Sequence, residues 1–352
     1  MTDSDPLSVP ATLRHHMLIG TGGIGTGRFF ALDGNRTLGR EESRGGRFLD
    51  RRDYCKLHIM THYVATLMGP GFRTLPVGRV GNDDAGRRLV EEMRSTGIDT
   101  GYVSVAPGES TLSSVCFLYP DGTGGNLTAS DSASAHVDAA ALSAAVAAVD
   151  SECAASAGRG AALAAPEVPL EARDALLRLG TRHGLLRAAS YVSEEVAHLL
   201  DGDIAEHIDL LALNSEEAGR LAGMDPSRGD EAVAAAAGRL LAERNAGLCL
   251  LVTGGRRGSW LFESGRLAHR AACRVELVNT AGAGDAHLAG MLSGLASGLT
   301  MLEALDLGVL LAGLSVTSPH TICPEAGRCA LRELAGRQDW TPAPAVTALL
   351  SP

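Results

Sequence analysis

The run Asn279-Thr280-Ala281-Gly282-Ala283-Gly284-Asp285 sets a carboxylate at the mouth of a helix, among residues with almost no side chain. It continues into Ala286-His287-Leu288-Ala289-Gly290-Met291-Leu292, a small and apolar stretch that suits a buried helix. Gly282, Ala283 and Gly284 let their backbone N–H groups approach a ligand closely. The first N–H groups of a helix have no partner inside it. Together with the helix dipole they form a ready anion site. An aspartate there repels an anion unless its task is to take a proton from a nucleophile. Phosphoryl transfer asks for that combination: positioning, charge stabilisation, and one group that receives the hydroxyl proton. The plainer alternative is a helix start with Asp285 as a capping residue.

Two further segments carry polar groups at suggestive spacing. Asn214 and Glu217 stand at i and i+3 at a helix start, so they share a face. The same spacing is that of a capping box, and the two readings are compatible. Thr253, Gly255 and Gly258 follow a buried apolar run as a loop, which an ordinary turn would also explain. No G-x-x-x-x-G-K-[ST] segment occurs, which excludes phosphate binding by a Walker lysine.

In their order along the chain these segments resemble the ribokinase-like (PfkB) carbohydrate kinase family. Asn279–Asp285 looks like its D-T-x-G-A-G-D signature. Leu75-Pro76-Val77-Gly78-Arg79-Val80-Gly81-Asn82-Asp83-Asp84-Ala85-Gly86 looks like V-G-x-V-G-x-D-x-x-G. Gly97-Ile98-Asp99-Thr100 looks like G-V-D-T, and Thr111 falls where a family threonine opens the next strand. Asn214-Ser215-Glu216-Glu217 matches N-x-x-E, and Thr253–Gly258 matches T-x-G-x-x-G. The resemblance runs from residue 17 to residue 320. It implies a ribokinase-like three-layer α/β/α sandwich with a mostly parallel central sheet and a small β lid. It also implies ATP and Mg²⁺ as cofactors and a sugar-like alcohol as acceptor. In that reading Asp285 is the general base, and the amides of Gly282, Ala283 and Gly284 hold the transferring phosphoryl group. Asn214 and Glu217 organise Mg²⁺ and the phosphates, largely through water. Thr253, Gly255 and Gly258 contact the nucleotide. A homodimer built on the lid is the expected assembly.

The acceptor end departs from the family pattern. Gly25 stands nearest to where an aspartate normally follows the first strand. Gly45-Gly46 supply a G-G pair, but Met60 falls where an asparagine is expected. Asn279 replaces an aspartate that helps bind an activating monovalent cation, which leaves K⁺ activation open. In their place stand Arg28, Arg36, Arg40, Arg44, Arg47, Arg51 and Arg52 against Asp33, Glu41, Glu42 and Asp50, a balance of 7 − 4 = +3. Arginine forks match phosphate and carboxylate. Arg36 and Arg40 are therefore candidate contacts to an anionic acceptor such as a sugar phosphate or sugar acid; a solvated lid surface or a subunit contact is the alternative. Lys56 is the sole lysine among 31 Lys and Arg residues. In an arginine-rich chain, its retention points to a compact ammonium needed at the acceptor site, beside Gly45 and Gly46, or to chance survival.

The elements that must position these residues follow from periodicity. Residues 1–15 read as a leader, 16–330 as the kinase domain with lid strands within 26–48 and 101–130, and 331–352 as a C-terminal tail. Met17-Leu18-Ile19 suits a buried strand. Gly20–Gly25 fits G-x-G-x-x-G, but the following residues alternate like a hairpin, where a dinucleotide fingerprint needs a helix. Helices are expected over 52–68 and 83–95. From 138 onward helical runs (138–149, 170–183, 193–200, 215–222, 230–244) alternate with strand-like runs at 161–164, 185–189, 208–213 and 248–253. Such alternation implies parallel strands with crossover helices, whose ligands gather at the carboxyl ends of strands. A strand over Arg274–Val278 is expected to deliver Asp285. His287, Cys323 and Cys329 receive no role.

Composition excludes several function classes. With 45% hydrophobic residues in a chain of 352, a large core is available. The net charge, 31 − 41 = −10, argues against general nucleic-acid binding. Seven scattered cysteines without a C-x-x-C pair fit reduced thiols in a cytoplasm. No apolar run reaches the roughly 20 residues of a membrane span, and the acidic Met1–Pro6 is no signal peptide. The competing functions are a nucleoside kinase with the same motifs, a non-catalytic regulator that kept the fold, and an NAD-dependent oxidoreductase resting on Gly20–Gly25 alone.

Overall fold

The computed structural model describes residues 5–9, 14–121, 123–140, 142, 145 and 160–352. Strand β1 (Met17–Thr21) is buried at every position. A strand of this kind needs cover on both faces. Parallel strands β5 (Arg73–Gly81) and β9 (Gly160–Ala164) flank it, with Met17 opposite Arg73 and Gly160. β10 (Leu186–Ser190), β11 (Leu210–Asn214) and β12 (Cys249–Thr253) extend the sheet in parallel beyond β9, and β6 (Val103–Ala106) adds to β5. The antiparallel pair β13 (Ser259–Glu263) and β14 (Arg266–Arg270) closes the other edge. The order is β14-β13-β12-β11-β10-β9-β1-β5-β6.

Alternate residues of a strand face opposite sides. Leu18 enters one apolar core, while Met17 and Ile19 enter another. Helices α1 (Lys56–Met68), α2 (Asp84–Ser95), α6 (Ala283–Ala296), α7 (Met301–Ser315), α8 (Arg328–Ala335) and α9 (Pro344–Leu350) contribute to the first core. Helices α3 (Leu170–Arg182), α4 (Ser215–Ala222) and α5 (Asp230–Ala242) cover the other face. The result is a three-layer α/β/α sandwich around a mostly parallel sheet. Local chemistry sets the helix ends. Asp83 caps α2 by accepting the Gly86 N–H at 2.8 Å, and Gly97, at φ 86°, turns the chain out of it.

A second sheet forms the lid: β2 (Gly25–Leu32), β3 (Gly46–Phe48), β4 (Asp53–Tyr54), β7 (Leu112–Leu118) and β8 (Gly124–Thr128). Its base closes around Asp53, which accepts from Ser114 Oγ at 3.2 Å and Cys116 Sγ at 3.3 Å. A Cβ on Gly27 would lie 1.9 Å from Asp53 Oδ2, so only glycine fits there.

One expectation holds and three change. Gly20–Gly25 leads from β1 into β2, so the helix that a dinucleotide fingerprint requires does not follow. Residues 53–54 pair with β2, and α1 begins only at Lys56. Arg274–Val278 forms no strand: Val278 N–H bonds to Val316, and Arg274 N–H to the Gln338 side chain. The segment lies along α7 and α8 because β14 already ends the sheet. Residues beyond 330 pack as α8 and α9, with Leu331 and Val346 fully buried. Val346→Ala should therefore cost about 1–3 kcal/mol, read as a lower Tm. The expected helix at 138–149 lies mostly outside the described residues, as does Cys153; the other six cysteines are unpaired. Among the described residues no helix is long and apolar enough to cross a membrane.

Candidate active site

Gly282 sets the geometry. It adopts φ 80°, ψ −2° as the N-cap of α6, a left-handed conformation that suits glycine. The Ala283 N–H bonds back to Thr280 at 3.3 Å. Those of Gly284 and Asp285 belong to the orphaned first turn. A Cβ on Gly284 would meet nothing within 4 Å. Unpaired donors, the positive end of a helix dipole and open space therefore coincide, which is the requirement for holding a phosphoryl group.

Asp285 stands in the same turn with 13% of its side chain exposed. The helix end does not alone set its charge state. Burial pushes the carboxyl above the ordinary carboxylate range, the Lys56 ammonium pulls it back, and Asp53 adds to the rise. Lys56 Nζ lies 3.9 Å from Asp285 Oδ2. Asp285, Glu167 and Glu217 raise the Lys56 pKa, the Asp285 charge having the largest effect, so it is an ammonium at any physiological pH.

The backbone of Lys56 is fixed from another element. Its N-cap, Cys55, offers no side-chain cap. Glu167 does so instead, its Oε2 accepting the Lys56 N–H at 3.0 Å. Glu167 follows β9 by three residues and holds φ 77°. A non-glycine residue in that region costs about 1–2 kcal/mol, and such strain collects at functional sites. Burial pushes the Glu167 carboxyl up to about 7; Lys56 and its N–H oppose the rise, and Asp285 and Asp53 add to it.

The nucleotide motifs meet through strand register, since Asn214 on β11 pairs with Thr253 on β12. Asn214 and Glu217 form a full capping box: Asn214 Oδ1 accepts the Glu217 N–H at 2.9 Å, and Glu217 Oε2 accepts the Asn214 N–H at 2.7 Å. Burial raises the Glu217 carboxyl, while Lys56 lowers it and Asp285 raises it further, which places α4 beside the same charge cluster. Gly255 has φ 59° and open space at its Cβ position. Gly258 differs, because a Cβ there would lie 2.1 Å from the Arg270 carbonyl; its glycine is needed by the turn. Mg²⁺ in phosphate complexes takes one or two carboxylates and keeps several waters. The capping box uses Oε2 of Glu217 and leaves Oε1, so the residues fit such an ion. No group of three or more metal-binding side chains occurs among the described residues.

The structure does not bring Arg36 and Arg40 to this site. Gly25 stands at the Cys55 end of β2, a Cβ on it lying 2.8 Å from Cys55 Sγ. Gly46 pairs with Leu32 at the opposite end of β2, about 23 Å away at strand rise. Arg36 lies beyond that end, paired with Glu42, which also pairs with Arg44 at 2.7 Å. Gly45, Gly46, Arg36 and Arg40 therefore belong to the distal lid, and of the proposed acceptor residues only Lys56 reaches Asp285. Asn279 donates from Nδ2 to the Pro319 carbonyl at 3.3 Å and accepts the Ala281 N–H at 3.1 Å, bracing the turn before Gly282. A cleft of about 640 Å³ near Arg228, Asp230, Arg257 and Trp260 lies between α5 and β13, and its lining includes none of these catalytic candidates.

Sequence reasoning missed Glu167 and Asp53. Glu167 was findable as the first titratable residue past a buried strand, where ligands of parallel sheets gather. Asp53 reads as the first turn of a helix until β4 is seen.

Residues 62–326 match the pfkB family carbohydrate kinase profile. The fold is similar to that of the ribokinase from Giardia lamblia (TM-score 0.75, 16% identity, covering 90% of this chain and 99% of that one). It is also similar to the ribokinase from Cryptococcus neoformans var. grubii serotype A in complex with ADP (TM-score 0.73, 19% identity, 91% and 99% covered). The adenosine kinase from Sinorhizobium meliloti matches at TM-score 0.68 and 18% identity, with 92% and 99% covered.

Proposed function

Since the chain belongs to the pfkB family of carbohydrate kinases, we propose that it transfers the γ-phosphoryl group of ATP to a hydroxyl of a neutral, sugar-like alcohol, with Asp285 as general base. The observation that carries this reading is the first turn of α6, where Asp285 stands beside orphaned amides and the open space at Gly284. The acceptor hydroxyl donates to the Asp285 carboxylate and loses its proton to it as the oxygen attacks phosphorus. The Gly284 and Asp285 N–H groups take the phosphoryl oxygens, as an anion hole does. Asn214, Thr253 and Gly255 would line the nucleotide side, and the ADP complex of a structural neighbour supports nucleotide binding in this fold. Glu217 would hold a hydrated Mg²⁺, which when bound neutralises charge on the phosphates.

The acceptor is neutral because Asp53, Glu167 and Asp285 face a single ammonium at this end of the cleft. An anionic acceptor would meet more carboxylate than cation, and Arg36 and Arg40, the candidate contacts to it, lie at the far end of the lid. A nucleoside is the second reading, supported by the adenosine kinase likeness, since a ribose offers the same hydroxyls. ADP release from Mg-ATP with D-ribose, D-fructose and adenosine tests both. Acceptor-dependent turnover is expected; ADP binding without turnover on any neutral polyol or nucleoside would sink the reading.

The charge cluster also sets a pH dependence. Glu167, raised to about 7, protonates as pH falls through neutrality, and burial raises the Asp285 carboxyl above its ordinary range as well. A carboxylate that must be ionised gives an acidic limb, so kcat/KM for the acceptor should decline below about pH 7. Glu167→Gln should move that limb to lower pH. A limb unchanged in Glu167→Gln would remove Glu167 from the working site.

A further inference from the structure

The loop that follows β12 is held from two sides. Within it, Gly254 N–H bonds to the Gly258 carbonyl at 2.8 Å, Arg257 N–H to the Gly254 carbonyl at 3.2 Å, and Gly258 N–H to the Gly255 carbonyl at 3.1 Å. The Gly255 and Arg256 N–H groups have no acceptor among the described residues. Successive free amides make a concave seat for an anion, and Gly255, at φ 59°, leaves it open. From α5, Asp230 receives the Arg257 guanidinium on both oxygens, Nη2 donating to Oδ1 at 3.0 Å and Nε to Oδ2. From β14, His269 Nε2 donates to the Arg257 carbonyl at 2.9 Å, while its ring lies against Trp260 with 4.6 Å between centroids.

The Asp230 side chain is 2% exposed, whereas that of Arg257 is 68% exposed. Burial pushes the Asp230 carboxyl up, but hydrogen bonds from Arg257 and Ser215 and the Arg257 charge outweigh it and hold the group below its ordinary range. Ser215 opens α4 beside Asn214, and its Oγ donates to the Thr253 carbonyl at 3.3 Å. One buried carboxylate thus joins the start of α4, the start of α5 and the loop. Its contact with the loop is close, since a Cβ on Gly254 would lie 2.5 Å from Asp230 Oδ2. The cleft between α5 and β13 opens against Arg257 and Asp230, so the ion pair closes a side of the loop that packed side chains do not. A bidentate pair fixes direction as well as distance.

We propose that Asp230 is a positioning residue for the nucleotide: through Arg257 it holds Gly254–Gly258 in the shape whose free amides receive a phosphate. A loop ordered before the ligand arrives removes an ordering cost from binding. Asp285 and the first-turn amides of α6 belong to another element. Loss of the pair therefore falls on nucleotide binding and not on the chemical step at saturating ATP.

This inference rests on the kinase reading, and the test separates the two. Wild type, Asp230→Asn, Arg257→Met, the double variant and Arg257→Lys are compared by calorimetry with ADP, and by ADP release from Mg-ATP with D-ribose, D-fructose or adenosine. Asp230→Asn and Arg257→Met should each weaken ADP and raise KM for ATP by about 10-fold, the lower end of the cost of removing an outer partner at metal sites, with kcat near wild type. The double variant should lose no more than either single one, because both break one contact. Arg257→Lys should recover part of the loss. A lower Tm with ADP affinity unchanged would make the pair structural and overturn the proposal. Tighter ADP binding in Asp230→Asn would overturn it too, marking the carboxylate as a restraint that keeps the Arg257 cation from the phosphates. A wild type that binds ADP but turns over no acceptor overturns the kinase reading and leaves the affinity comparison to decide on Asp230. A wild type that binds no ADP overturns both. Should the variants fail to fold, hydrogen exchange on the wild type decides. The Arg257 and Gly258 amides should be protected before ADP is added, and protection that arises only with ADP would overturn the proposal.

Discussion

Asp285→Asn is expected to lower turnover by about 10²–10⁴-fold, the range that a positioned general base contributes. The substitution keeps the size of the side chain and its place in the first turn of α6, so folding should survive it. Burial already disfavours the charge at Asp285, and the neutral amide removes that cost. A Tm equal to or above wild type is therefore expected. ADP affinity should hold or rise, because the amides at the helix start remain and the nearby negative charge is gone. Loss of turnover with retained or improved nucleotide binding marks a group that acts in the chemical step. Equal losses in both would reduce Asp285 to a structural cap, the plainer alternative raised by its position.

Much of this site was legible because it lies in single short segments. Asn279–Asp285 carries its own turn, helix start and carboxylate, and Asn214 with Glu217 carries its own capping box. Local spacing is enough where the chain folds on itself. The acceptor end is assembled from distant pieces: Lys56 opens α1, Glu167 follows β9, and Asp53 sits in a two-residue strand under the lid. No spacing in the sequence shows that Glu167 caps a helix more than a hundred residues before it. Arginine clustering misleads for the same reason. Arg36 and Arg40 are close to Lys56 in sequence, but the run of β2 carries them to the opposite end of the lid. Charge patterning reports composition, whereas the sheet decides which end of a strand meets the cleft.

The C-terminal segments show a second limit. Arg274–Val278 has the apolar alternation of a strand, yet its backbone bonds go to Val316 and Gln338. Prolines at 342 and 344 suggest a loose tail, yet Pro344 opens α9, where its missing N–H costs nothing. In both places the side-chain pattern is correct and the partner surface is what the sequence leaves out.

The paired substitutions Gly282→Ala and Gly284→Ala should fail in opposite ways, and the contrast tests the phosphoryl site itself. At Gly282 the backbone is left-handed, which costs about 1–2 kcal/mol for alanine. Its Cβ would also stand 3.0 Å from the Thr321 carbonyl. Thr321 cannot yield freely: its N–H bonds to the Arg52 carbonyl at 3.1 Å, and its Oγ1 accepts the Tyr54 N–H at 3.0 Å. Any shift is passed to residues 52–54 and on to Lys56. Gly282→Ala should thus lower Tm and turnover together. Gly284 has room for a methyl group, and alanine is the better helix former by up to about 1 kcal/mol. Gly284→Ala should hold or raise Tm, yet its methyl would occupy the space in which a phosphoryl oxygen must approach the first-turn amides. A loss of about 10²–10³-fold in turnover, the cost of a disabled anion hole, is expected with the fold intact. Stability and activity moving apart at Gly284, and falling together at Gly282, would separate a glycine kept for its ligand from one kept for its backbone. Full activity in Gly284→Ala would remove the anion hole from the mechanism, however well the rest of the site performed.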